Sequence, residues 1–238
     1  MSLPPSQIPV YRLKTPDYVA YRTMIAVQLS KHFGGTSQQW VEQLATVLND
    51  TACWQVTVTP PQLEFRYRDR ALAEWLQSLL HTVMPLPSPL PSPTAAYLPL
   101  QYFHSRCLSY LYLAQETGLI TLTTPQKSLF WQWEKPHPVP WLQDEQHLCW
   151  LQSPSQALFS QLVTVIDQWA EPRPIPWDKV AMGLGETWET FERGACLWGI
   201  CDRQLALAQA QFGLMAVLQR LLLRIFWEKW QMIPRLEF

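Results

Sequence analysis

Glycine is scarce, at 8 of 238 residues. That argues against a fold built on Gly-rich phosphate loops or on many tight hairpins. Charge is also low: 16% of residues are Asp, Glu, Lys or Arg, against about 25% in an ordinary soluble protein. Eighteen basic residues balance nineteen acidic ones. No global basic excess exists to hold nucleic acid or an anionic membrane, so any RNA contact needs a local basic patch. No apolar run approaches the roughly 18 residues that a membrane span requires. The N-terminal stretch MSLPPSQIPVYRLK has no charged start leading into an apolar run, so no secretory signal is expected. The five cysteines are odd in number and scattered, which suits reduced thiols in a cytoplasmic protein. His147-x-Cys149 and Cys196-x4-Cys201 lack zinc-ligand spacing, so no metal site is expected. Gly183-Leu184-Gly185 is not followed by Lys-Ser/Thr and is no phosphate loop. Nucleophile elbows, His-Glu-x-x-His and kinase signatures are all missing. The expectation is a non-enzyme without a cofactor.

What is present is apolar mass: 48% hydrophobic residues, 13 Trp and 21 Pro. A chain this rich in buriable surface is not disordered. Prolines at 85, 87, 89, 91 and 93 favour an extended spacer. The chain is thereby divided into residues 1–83, a linker 84–93, and residues 94–238.

The first part reads as helix, helix, strand, strand, helix. Asp17 can cap a helix with Tyr18, Tyr21, Ile25, Leu29 and Phe33 on one face, ending at Gly34-Gly35. Ser37 can cap the next, with Trp40, Val41, Leu44 and Leu48 inward. Trp54, Val56, Val58 and then Leu63, Phe65, Tyr67 alternate with polar residues around Pro60-Pro61, the pattern of an antiparallel pair. Asp69 can cap a third helix. The second part reads as helices at 98–117, 125–134, 139–151, 154–171, 176–199 and 202–231, with the last central in a bundle. The fold class expected is α+β: a small N-terminal α/β domain followed by an all-α bundle.

Gln101-Tyr102-Phe103-His104-Ser105-Arg106-Cys107 sets an aromatic, a histidine and an arginine at alternate positions near a helix start. They can recognise a nucleic acid, or Tyr102 and Phe103 can lie in the core while Arg106 reaches out to solvent. Arg66, Arg68 and Arg70 form a local basic cluster. They can contact phosphate, or they can solubilise a strand edge.

The stretch QYFHSRCLSYLYLAQ resembles the start of the anticodon-binding helical domain of arginyl-tRNA synthetase, the DALR domain, where a Tyr-Ala-His-Ala-Arg pattern leads into a helix. Tyr102, His104 and Arg106 fall on its Tyr, His and Arg. PIPWDKVAMGLGETWETFERG and LALAQAQFGLMAVLQRLLL resemble later helices of that domain. TPDYVAYRTMIAVQLSKHFGG and the stretch from Trp40 to Leu80 are similar to the same enzyme's N-terminal domain, which reads the tRNA elbow. There a Gly-Phe-Ile-Asn-Phe strand corresponds to Pro61-Gln62-Leu63-Glu64-Phe65, with Glu64 in place of Asn. The catalytic domain between the two is missing, and so are its His-Ile-Gly-His and Lys-Met-Ser-Lys motifs. The resemblance implies a non-catalytic tRNA-binding accessory protein, with arginine tRNA the candidate and Tyr102, His104, Arg106, Phe65, Arg66, Arg68 and Arg70 as contacts. A protein-interaction module that has lost tRNA binding is the alternative. It rests on the 13 Trp, read as interface anchors in excess of what one core needs.

Overall fold

Four short runs rich in β-branched and aromatic residues pair into one antiparallel sheet in the order β1-β2-β4-β3. They are β1 (Val10–Arg12), β2 (Ala20–Thr23), β3 (Trp54–Thr59) and β4 (Gln62–Tyr67). The computed structural model describes residues 8–15, 17–48, 51–82, 97–123, 129–150, 154–171, 173–195, 197 and 204–235. Contacts divide it into two units: Met1–Ala73 with Asp144–His147, and Glu74–Gln143 with Leu148–Phe238. The class is mixed α+β.

In the first unit the β3–β4 hairpin forms as its alternation requires, with Val56 opposite Phe65 and Val58 opposite Leu63. Helices α1 (Ile25–Phe33) and α2 (Ser37–Leu48) close over that face. Ala26, Val41, Val56 and Leu63 form its core, with Trp40, Leu44, Trp54 and Phe65 packed around it. The helix expected from Asp17 begins only at Ile25. Its first half is β2, which pairs Tyr21 with Phe65 and Thr23 with Leu63, and β1 with β2 extends the sheet. Tyr18, Tyr21 and Ile25 have helical spacing, but the segment Val19–Thr23 gains a full ladder with β4, and that pairing outweighs local periodicity. The α2 cap is Thr36 rather than Ser37. Thr36 Oγ1 accepts from Gln39 N–H (3.2 Å) while Gln39 Oε1 accepts from Thr36 N–H (3.0 Å), a reciprocal capping box. Thr36→Ala is expected to cost about 1 kcal/mol, measured by urea unfolding.

Helix α3 (Asp69–His81) opens with an acid that favours its N-terminal dipole. The division between units falls inside α3, between Ala73 and Glu74. The reason is visible in its second half. Trp75 meets Phe159 edge-on, and Gln77 Oε1 accepts from Val139 N–H and Trp141 Nε1–H, both at 3.0 Å. The expected linker, 84–93, lies outside the described residues.

The second unit holds α4 (Leu98–Glu116), α5 (Pro154–Ala170), α6 (Trp177–Gly194) and α7 (Leu205–Trp230). Helix α7 is its centre: every residue from Gln211 to Gln219 is buried. By length and hydropathy α7 passes the test for a membrane span, a test that the buried core helix of a soluble protein also passes. The helices expected at 125–134 and 139–151 do not form among the described residues. Instead β5 (Thr121–Leu122) pairs with β6 (Trp133–Lys135), and a lone bridge joins Leu142 to Leu148. Pro136, Pro138 and Pro140 remove the donors a helix needs, so the second unit is not all-α. Trp131 and Trp133 follow a strand period, and with Trp141 and Trp150 they are buried.

Candidate nucleic-acid interface

The alternate positions of Tyr102, His104 and Arg106 lie on α4, not on a strand. Residues two apart on a helix point about 200° from each other, whereas residues four apart share a face. Tyr102 and Arg106 therefore emerge together, and His104 turns inward. Tyr102 is 45% exposed. Arg106 Nε donates to Glu192 Oε1 (2.9 Å) and its Nη2 to Tyr110 Oη (3.2 Å), while Tyr110 donates to the same carboxylate oxygen (2.6 Å). Donating this hydrogen bond to Glu192 raises the Arg106 pKa. A guanidinium already paired with a carboxylate neutralises little phosphate, so Arg106 orients this surface rather than charging it.

His104 is completely buried and is no nucleic-acid contact. Trp131 Nε1, which can only donate, gives its hydrogen to Gln219 Oε1 at 3.1 Å. That fixes the amide so that Gln219 Nε2 donates to His104 Nε2 at 2.8 Å. The imidazole is neutral with its proton on Nδ1, which has no hydrogen-bond partner. Burial drops its pKa to about 3.

Phe65 also leaves the set. It lies on the helix-covered face of β4, half-buried beside Trp54 with ring centroids 5.9 Å apart, and offers no open stacking platform. Arg66 points to the opposite face, which also carries Gln55 and Thr57, all three exposed. Its guanidinium sits 4.4 Å from the Tyr18 ring centroid, a cation–π contact that fixes its direction. Arg68 and Arg70 are exposed as well. Alternation along a strand would set Arg66 and Arg68 on one face, but strand β4 ends at Tyr67, before Arg68. All three arginines nevertheless line one polar groove of about 490 Å³ in the first unit, with Gln55, Asp69 and His147.

Glu64, which stands where the resembling strand has Asn, has a partner that only the fold supplies. Arg22 stands directly opposite it on β2, and Arg22 Nη2 donates to Glu64 Oε2 at 3.2 Å. This pair was invisible while Tyr21 and Arg22 were read as helical.

The tryptophans also take a different role. Twelve of them are described, and none is exposed. Trp150 and Trp188 are among the largest fully buried side chains. Five of the twelve, Trp131, Trp133, Trp141, Trp150 and Trp188, are core material, and the other seven are half-buried, so the interface argument loses those five alone. Trp198 lies outside the described residues.

Elsewhere, Glu189 pairs with Arg193 along α6 (3.3 Å) and Glu192 holds Arg106, so both of these glutamates have structural partners. Burial raises the Cys107 thiol, and it pushes Cys149 up to about 12, which leaves both unreactive at neutral pH. Among the described residues no cluster of three His, Cys, Asp or Glu can hold a metal. The chain matches no protein-family model, no curated protein and no solved structure.

Proposed function

We propose that the protein is a non-catalytic, cytoplasmic RNA-binding protein, that tRNA is its RNA, and that it grips the phosphate backbone through Arg66, Arg68 and Arg70. The observation that carries this reading is the polar groove on the first unit, where three exposed arginines outnumber the two carboxylates, Asp69 and Glu145, that share its lining. Arginine forks match phosphate oxygens, and such contacts supply most of the affinity in non-specific RNA binding. The second unit is read as an anticodon-binding bundle of the DALR type. There Tyr102, exposed one turn from Arg106, is the stacking residue for an unpaired base. His104 and Phe65 take no part.

The second reading, a protein-interaction module, is favoured by the half-buried tryptophans, by the exposed Val10 and Tyr11 of edge strand β1 and by the neutralised Arg106.

A salt titration of binding to total tRNA tests the proposal. Three phosphate contacts predict a log–log slope of about −2, at about 0.7 per contact for single strands. Arg68→Gln flattens the slope by a little under one unit. Tyr102→Ala weakens binding by about 1–3 kcal/mol with the slope unchanged. A flat salt dependence overturns the phosphate-grip reading and leaves the interaction module.

A further inference from the structure

Helix α7 carries a half-buried cation, Arg220, with no anion paired to it among the described residues. The terminal nitrogens of Arg220 donate to two backbone carbonyls, Thr82 O at 2.7 Å and Trp131 O at 2.8 Å. The guanidinium lies 4.5 Å from the Trp131 ring centroid. Its Nε is buried and has no hydrogen-bond partner, and among the described residues no carboxylate pairs with it. Burial lowers its pKa to about 10, so it stays charged at neutral pH. Buried charges in proteins are usually paired, because neutral dipoles compensate lost hydration only in part. Arg224, one turn further on, is different: its Nε donates to Glu228 at 2.6 Å.

Arg220 stands in the wall of a pocket of about 290 Å³ that lies wholly within the second unit. Most of the other walls are apolar (Leu79, Ile166, Trp169, Val217 and Leu221), and the second cation in the lining, Arg224, is the one already paired with Glu228. The volume is at the lower end of small-molecule sites, about 300–1,000 Å³. Guanidinium has five N–H donors, and the backbone carbonyls take two of them. Three are left, and a ligand meets those on the terminal nitrogens, because Nε is closed off from solvent.

We propose that this pocket binds a small amphipathic monocarboxylate, with its apolar body against Trp169 and Leu221 and its carboxylate on Arg220. The charge count selects the head group. One unpaired guanidinium asks for one negative charge, and a planar carboxylate matches its fork. The apolar walls select the body, and they disfavour a hydrated anion such as free phosphate.

The test is calorimetry on the full chain with nonanoate, 1-nonanol and 1-naphthoate. The alcohol keeps the tail without the charge, and the two acids distinguish a chain from a ring as the preferred body. Saturable binding of at least one acid is expected, with the alcohol weaker by about tenfold or more, the size of one charged hydrogen bond. Arg220→Gln should lose about the same factor. Because Arg220 also ties α7 to its neighbours, Ala170→Phe is the second variant. Ala170 is an exposed wall residue, so the added ring fills the pocket without entering the core. It should abolish binding and leave the melting temperature unchanged. The proposal is overturned if neither acid binds at up to about 1 mM (a Kd ceiling of −4.1 kcal/mol), if the alcohol equals the acids, or if Ala170→Phe binds like the wild type.

Discussion

Between pH 7 and pH 4.5 the protein is expected to lose about 2–3 kcal/mol of stability through His104 alone. The folded chain holds this imidazole neutral, with a pKa of about 3 against 6.5 for an ordinary histidine. Above about pH 6.5 neither state takes up the proton and the group is silent. Below that, the unfolded chain binds a proton that the folded chain refuses, so stability falls by about 1.4 kcal/mol per pH unit. The fall continues down to about pH 3, where the folded state protonates too. Urea unfolding of wild type and His104→Gln at pH 7 and 4.5 isolates this contribution, since the amide has no proton to gain. The variant should lose less stability on acidification by about the stated amount. Equal losses in both proteins would place His104 in contact with water.

The second large effect is steric. A Cβ at Gly185 of α6 would lie 2.0 Å from Phe103 Cε2 of α4, inside any tolerable contact, and Phe103 is itself buried. The two helices approach closely because one of them carries no side chain there. Gly185→Ala should therefore cost about 1–3 kcal/mol by overpacking, more than offsetting the gain in helix propensity of roughly 1 kcal/mol. Adding Phe103→Leu should restore part of the loss, because the shorter side chain vacates the contested space. If Gly185→Ala raises the melting temperature, the α4–α6 contact is not as close as described.

The elements that were legible in the sequence are those whose pattern is complete within a few residues. The β3–β4 hairpin shows its alternation and its turn together. Helices α4 and α5, Leu98–Glu116 and Pro154–Ala170, end within a residue of the ranges 98–117 and 154–171 that the sequence predicts. Strand β2 was not legible, because its spacing is helical and its reason for being a strand, β4, lies some forty residues away. The segment 131–150 was misread for the opposite reason. Its alternating prolines and tryptophans carried a strand signal that a count of helices overlooked. At the candidate site the arginines at 66, 68 and 70 were legible as charge, and helix geometry alone sets Tyr102 and His104 on opposite faces, while packing decides which of them is inside. Their partners were not legible. Gln219 is 115 positions from His104, Glu192 is 86 from Arg106, and Arg22 faces Glu64 only through a sheet register. Long-range polar pairing leaves no local mark on a sequence.

RNA contact through the three arginines is decided most directly by one comparison. Wild type and an Arg66→Gln, Arg68→Gln, Arg70→Gln triple variant are titrated with total tRNA at about 50 mM salt, where phosphate contacts are strongest. The melting temperatures of both proteins are measured alongside. All three side chains are exposed, so the variant should fold. The account predicts that the wild type binds and that the folded triple variant has lost most of its affinity. A wild type that does not bind, or a triple variant that binds equally well, contradicts it.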